Sequence, residues 1–288
     1  TNSFEWGIDL NFSKNKNSIL SLHPDINTYT ISEARWAGAA IVAQVGGQYG
    51  TIIGKDFQRT ESGEMIVGAN GLPLYTDTKV VLGKGVPDWA AGLTNRFSYK
   101  GITLQFLLDM KFGMDVYSMT NSVAATKGLL DVTTEGRDAY NAARAQAAAS
   151  DPNFNIQSWV PTAGYVANGV VNTGTAQNPN YVRNEKPVDP QAYWTNVFDN
   201  TPAPFIYDAS YVKLREVSLG YTIPKSVFEG AKINSIYISA FARNLLTFSK
   251  DLPNIDPESM YTSGNGQGFE YGSLPFRRSY GFNIKVTF

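Results

Sequence analysis

The sequence predicts an all-β fold, an antiparallel barrel of membrane-crossing strands, and three observations carry that expectation. Apolar and polar residues alternate along several segments, the alternation persists for about 9 to 13 residues where soluble strands run to about 5 or 6, and short and long connections take turns between the segments. Composition agrees, with 17% charged and 13% aromatic residues among 288, against roughly 25% charged in an ordinary soluble domain. Ten residues at about 3.3 Å each, tilted about 45°, rise about 23 Å, close to the ~25 Å apolar band of an outer-membrane barrel.

The first segment sets Phe4, Trp6, Ile8, Leu10 and Phe12 on one parity, with Glu5, Gly7, Asp9 and Asn11 on the other. Residues of one parity share a face of a strand. A less regular strand is expected within Ala40 to Phe57, where Ile41, Val42, Val45, Tyr49, Ile52 and Ile53 stand among glycines. Next, Trp89, Ala91, Leu93, Phe97 and Tyr99 alternate with Thr94, Arg96 and Ser98. Lys100-Gly101 then suits a two-residue hairpin, and Ile102, Leu104, Phe106, Leu108, Met110 and Phe112 follow against Thr103, Gln105, Asp109 and Lys111. Val212 and Leu214 give way to Val217, Leu219, Tyr221 and Ile223 on the opposite parity, so one extra residue, a bulge near Arg215-Glu216, restores the apolar face. Ile236, Ile238, Ala240, Ala242, Leu246 and Phe248 form another strand. The last holds Phe276, Tyr280, Phe282, Ile284, Val286 and Phe288, with Arg278 breaking the pattern. Seven strands are counted in all. Trp6, Phe12, Trp89, Tyr99, Tyr221, Phe248, Phe276 and Phe288 sit toward strand ends, where interfacial girdles place aromatics.

Counting back from the terminus, the connections are long (249–274), short (225–232), very long (119–209), short (100–101) and long (58–88). Barrels have short periplasmic turns and long outward loops, and only Leu20 to Ala40, expected as a periplasmic turn, is longer than that rule allows. Within the longest loop, residues 136–150 favour a short helix by their alanines, ending before Asp151-Pro152.

Several chemistries are disfavoured. Lys plus Arg number 24 and Asp plus Glu 25, which leaves no basic footprint for nucleic acid. There is no cysteine and one histidine, His23, beside Pro24, so thiolate metal sites and cysteine nucleophiles have no residues to use, and zinc sites and histidine triads are nearly excluded. No cofactor and no catalytic residue is expected. No apolar run reaches the ~18 residues of a spanning helix. Asp9, Arg96, Gln105, Asp109, Lys111, Arg277 and Lys285 lie on the polar parity, readable either as a hydrated lumen facing plug or solute or as a plain solvated face. Asn254, Asp256 and Glu258 offer oxygens that calcium accepts, but without EF-hand spacing they read as a turn at Asp256-Pro257. The run 264–268, GNGQG, reads as a flexible loop. Trp159, Tyr165, Tyr181, Tyr193 and Trp194, with Tyr140 and many amides, suit sugars or peptides by stacking and hydrogen bonding; packing within the loop, or against a lid protein, explains them equally.

Four segments together resemble a known family: KVVLGKGVPDWAAGLTNRFSYKGITLQFLLDMKFGMDVYS (79–118), DASYVKLREVSLGYTIPKSVF (208–228), ISAFARNLLTFSKDLPNIDPE (238–258) and LPFRRSYGFNIKVTF (274–288). In this order they are similar to the carboxyl-terminal third of SusC/RagA-type TonB-dependent transporters of the Bacteroidota. The resemblance covers most of 1–118 and 190–288 and is weak in 119–190. It implies a 22-stranded barrel, an amino-terminal plug with a TonB-contacting box, and a SusD-like surface lipoprotein over the mouth. Seven strands cannot close around a plug, and open edges in lipid are prohibitively costly. Residues 1–288 are therefore expected to be one carboxyl-terminal barrel portion, with 119–209 an extracellular loop and the plug absent.

The resemblance further implies energised nutrient import, of oligosaccharide or peptide, without covalent chemistry. Its partners are the plug and upstream strands of the same transporter, the lid lipoprotein, TonB acting through the plug, the lipid bilayer and the barrel assembly machinery. Tyr280, Phe282, Ile284, Val286 and Phe288 resemble the carboxyl-terminal signal read by that machinery. Two other readings stay open. One is a soluble extracellular carbohydrate-binding or glycoside-cleaving β domain; the other is a passive porin or adhesin barrel.

Overall fold

The computed structural model describes residues 3–34, 38–228, 230, 232–249, 252–259, 264 and 266–288. In chain order the strands are β1 (Glu5–Lys14), β2 (Thr28–Ala34), β3 (Ala39–Gln44), β4 (Thr51–Gly54), β5 (Val80–Lys84), β6 (Trp89–Tyr99), β7 (Ile102–Phe112) and β8 (Asp115–Ser118). Then come α1 (Met119–Thr126), α2 (Arg137–Ser150), β9 (Val170–Asn172), β10 (Tyr181–Arg183) and α3 (Pro190–Asn200). The chain continues through β11 (Ile206–Asp208), β12 (Tyr211–Pro224), β13 (Ser235–Ser249), β14 (Phe269–Glu270) and β15 (Ser279–Thr287).

Six of these strands make one antiparallel sheet in the order β1-β6-β7-β12-β13-β15. Its register places Trp6, Phe97, Leu104, Leu219, Ala240 and Phe282 in a single row across all six strands. Another row runs Leu10, Leu93, Leu108, Leu214, Leu246. These rows are exposed toward the sheet edges, Leu10 at 65% and Phe282 at 83%, while Leu93, Phe97, Leu108 and Leu214 are half-buried. Asn95 also lies on that face, 8% exposed, and its side-chain oxygen accepts from the Trp6 indole at 3.2 Å.

Aromatics gather at both ends of the sheet. Trp89 stacks on Phe112 at 4.5 Å and lies 6.0 Å from Phe12 at one end, while Trp6 stacks on Phe97 at 5.9 Å at the other. On the opposite face glycines make room for large rings. A Cβ on Gly220 would meet the Tyr237 hydroxyl at 2.2 Å, and one on Gly281 would meet the Phe241 ring at 2.4 Å, so ring and glycine pack across neighbouring strands.

The β6–β7 hairpin turns at Lys100 (φ 46°) and Gly101 (φ 80°), the two left-handed residues that a type I′ corner requires. The expected bulge is also present, since β12 shifts register between Leu214 and Glu216 against both neighbours. The helix expected over 136–150 forms as α2, with Asp151 as its C-cap.

The expected seventh strand does not join this sheet. Residues 39–44 and 51–54 instead belong to a separate four-stranded sheet, β2-β3-β4-β5. Ala39, Ala40, Ile41, Val42 and Ala43 are all buried, so β3 is covered on both faces, and its unbroken apolar run reports a core strand rather than half of an alternating one. This correction removes the anomaly at Leu20–Ala40. Because β1 pairs directly with β6, residues 15–88 are a single long connection on the same end as 113–210 and 250–278. Two short turns occupy the other end.

The long connections pack together. Ile41 and Ile52 of the small sheet share a core with Tyr117, Tyr193, Trp194, Val197, Phe205 and Phe269. Gly268 is buried against Gly85, where a Cβ would meet the Gln267 carbonyl at 2.0 Å, so the end of GNGQG is close-packed rather than free; Asn265 lies outside the described residues. No helix among the described residues is long and apolar enough to cross a membrane.

Candidate functional site

The polar face of the sheet carries a cluster of charge where the bulge aims it. Tyr211, Lys213 and Arg215 rise in succession along β12, and the extra residue at Arg215 turns its guanidinium toward β7. Its Nη2 lies 2.6 Å from Asp109 and also bonds Glu258. Lys213, 1% exposed, places its ammonium 2.5 Å from Asp256 and 2.7 Å from Glu258. The Tyr211 hydroxyl donates to Glu258 at 2.8 Å.

Phe276 covers the group, with the Lys213 ammonium 5.1 Å and the Arg215 guanidinium 5.7 Å from its ring centre. Burial pushes the Glu258 carboxyl up, but hydrogen bonds from Arg215, Lys213 and Tyr211 outweigh it and hold the group at about 2. Asp256 and Glu258 therefore bond to cationic side chains, and the oxygens considered for calcium serve to tie the 250–278 loop to the sheet wall.

The expected lumen-facing residues Asp9, Arg96, Gln105, Asp109, Lys111 and Lys285 have partners on the face opposite the apolar rows. Arg96 donates to Gln105 at 3.2 Å. Arg277 precedes β15, and its carbonyl accepts from Asn244 at 3.1 Å.

The loop aromatics divide by burial. Tyr193 (5% exposed) and Trp194 (8%) belong to the loop core, with the Tyr165 ring tilted against Tyr193 at 4.4 Å; in this fold these three pack rather than present their faces. Burial pushes the Tyr193 hydroxyl far above its ordinary range. Trp159 is half-buried between Tyr140 and Phe154, and Tyr181 is exposed on the β9–β10 hairpin. Sequence reasoning passed over Tyr211, Lys213 and Glu258 as a unit. The available signal was a pair of cationic residues on the polar parity immediately before a bulge, with a second acidic pair in a distant loop.

Over its whole length the chain matches curated proteins of one kind. It is 26% identical over 314 residues to TonB-dependent receptor P3 of Formosa agariphila, covering 99% of this chain and 27% of that protein. TonB-dependent receptor P26 of the same organism is 27% identical over 315 residues, covering 100% and 28%.

Along its whole length the chain is similar to TonB-dependent receptors.

Solved structures agree on the fold. The RagAB peptide importer in its closed-closed state superposes with a TM-score of 0.60 at 18% identity, over 100% of this chain and 28% of that one. Its open-open state gives 0.58 at 17%. No protein-family profile matches. The likeness to TonB-dependent transporters read from four sequence segments is thus borne out by the receptor matches, and the RagAB structures share the fold. The chain spans a little over a quarter of the length of those relatives.

Proposed function

We propose that residues 1–288 are the carboxyl-terminal wall and outward loops of an outer-membrane, TonB-dependent nutrient transporter of the SusC/RagA type. The observation that carries this reading is the sheet itself. One face presents exposed leucine and aromatic rows across six strands, and β1 and β15 form its two edges. An apolar face of this size requires cover, and lipid supplies it where aromatics border the two ends. Backbone groups at the edges require partners in lipid, which upstream strands of the same transporter would provide in a 22-stranded barrel.

In this reading the ionic cluster faces the lumen, the long connections face outward, and the solute is an oligosaccharide or a peptide. A SusD-like lipoprotein covers the loops, and Trp159 and Tyr181 are the accessible aromatics for solute or lid. Energy reaches the solute through TonB and the plug, which lies outside this chain. A soluble carbohydrate-active domain fits less well, because it would leave the leucine rows in water. Membrane fractionation with surface proteolysis tests the reading. Residues 113–210 should be cut on intact cells stripped of any lid, in a protein that needs detergent for extraction; a freely soluble product overturns it.

A further inference from the structure

A second site stands in the outward loops, away from the ionic cluster. A cleft of about 370 Å³ opens between the end of α1 and the starts of α2 and α3. Trp194 lines it, and among the described residues its Nε1 is the buried side-chain polar atom without a hydrogen-bond partner. An indole N–H only donates, so what it lacks is an acceptor.

The rest of the lining supplies the same polarity. Lys127, Arg137 and Arg144 stand there against one carboxylate, Asp189. Asp189 is already engaged as the N-cap of α3, accepting from the Gln191 backbone at 2.9 Å. Arg137 spends one nitrogen, Nη2, on the Gly128 and Thr133 carbonyls and the Thr133 hydroxyl at 3.0 to 3.1 Å. Arg144 lies 6.0 Å from the Tyr140 ring centre, held over an aromatic face rather than by a carboxylate. Three cationic side chains thus face a single carboxylate in the cleft lining.

We infer that this cleft binds a carboxylate of the imported solute, with Lys127 and Arg144 supplying charge and the unpartnered Trp194 Nε1 a donor. A planar guanidinium matches a carboxylate's two oxygens. The inference rests on the import reading above and narrows its solute to an acidic one. Two sources offer that group: the terminal carboxylate of a peptide and the acid of a sugar.

The test uses the complete transporter in detergent, as wild type, as the double variant Lys127→Gln/Arg144→Gln, and as Trp194→Phe. Calorimetric titration compares trialanine with its C-terminal amide, and a galacturonate trisaccharide with its methyl ester. In one of the two pairs the acid is expected to bind about tenfold more tightly than its neutral form, and that pair names the source. The double variant, altered only at the cleft rim, should reduce the preference to under about twofold, and Trp194→Phe should weaken acid binding by about threefold or more. A heat-modifiable barrel recovered from the outer membrane that shows no acid preference, keeps it in the double variant, or prefers inorganic phosphate overturns the cleft assignment alone. Absence of the protein from the outer membrane overturns the import reading instead.

Discussion

Arg215 on β12 reaches Asp109 on β7 with two nitrogens, Nε at 2.8 Å and Nη2 at 2.6 Å from the same carboxylate oxygen. Arg215 is the bulged residue, so the irregularity that restores the apolar face on one side of the sheet also builds the charged cluster on the other. One inserted residue serves both faces. The bulge pins the register of β12 against β7 and β13, and the cluster pins the 250–278 loop to the wall through Asp256 and Glu258.

Lys213 is the buried centre of that attachment, so truncating it leaves two carboxylates without their ammonium. Lys213→Met is expected to cost about 3–5 kcal/mol, the range for breaking a buried ion pair from one side. Adding Asp256→Asn and Glu258→Gln should restore a large part of it. Denaturant titration of the folded barrel checks both, and additive losses across the three changes would contradict a shared cluster.

The same cluster gives the loop a pH dependence of defined sign. Glu258 is held at about 2, below its ordinary 4.5, so its contribution is fully present above pH 4.5 and is lost as pH falls toward 2. Hydrogen exchange in residues 252–259 should accelerate across that window in the wild type, beyond the intrinsic pH effect. In Glu258→Gln the added acceleration should vanish. Identical pH profiles for the two proteins would rule out this carboxylate as the cause.

The wall was legible from the sequence because its signal is purely local. Alternation sustained over ten residues fixes which side chains share a face, and Lys100-Gly101 fixes one corner. The small sheet was misread because β3 is buried on both faces, and a short apolar run such as AAIVA has no period to distinguish its environment. For Tyr193 and Trp194 the sequence leaves contact and packing equally open, because composition cannot separate a packed aromatic from a presented one. The ionic cluster was missed for another reason: Lys213 and Glu258 are 45 residues apart, and only the bulge and the returning loop bring them together.

The two faces of the wall predict opposite responses to added charge. Leu108 and Ile238 belong to the apolar rows, where an arginine near the bilayer midplane costs about 2–4 kcal/mol. Leu108→Arg and Ile238→Arg should each lower the yield of heat-modifiable barrel. Gln105→Arg, beside Arg96 on the other face, should be tolerated far better. Equal yields for all three would contradict the face assignment.

Phe288 follows β15, where Tyr280, Phe282, Ile284 and Val286 form an exposed apolar line. If this line is the signal for barrel assembly, deleting Phe288 from the complete transporter should abolish most insertion into the outer membrane. An interfacial anchor alone predicts normal amounts of a barrel destabilised by at most a few kcal/mol. Quantifying folded protein in the outer membrane separates the two.

The pairing of the two edge strands bears most directly on the central claim. A structure of the complete transporter in lipid nanodiscs should show β1 and β15 each hydrogen-bonded along its length to strands outside residues 1–288, with the Trp6 to Phe282 row facing lipid. A structure in which these residues close on themselves as a separate domain, or in which either edge is left facing water, would contradict it.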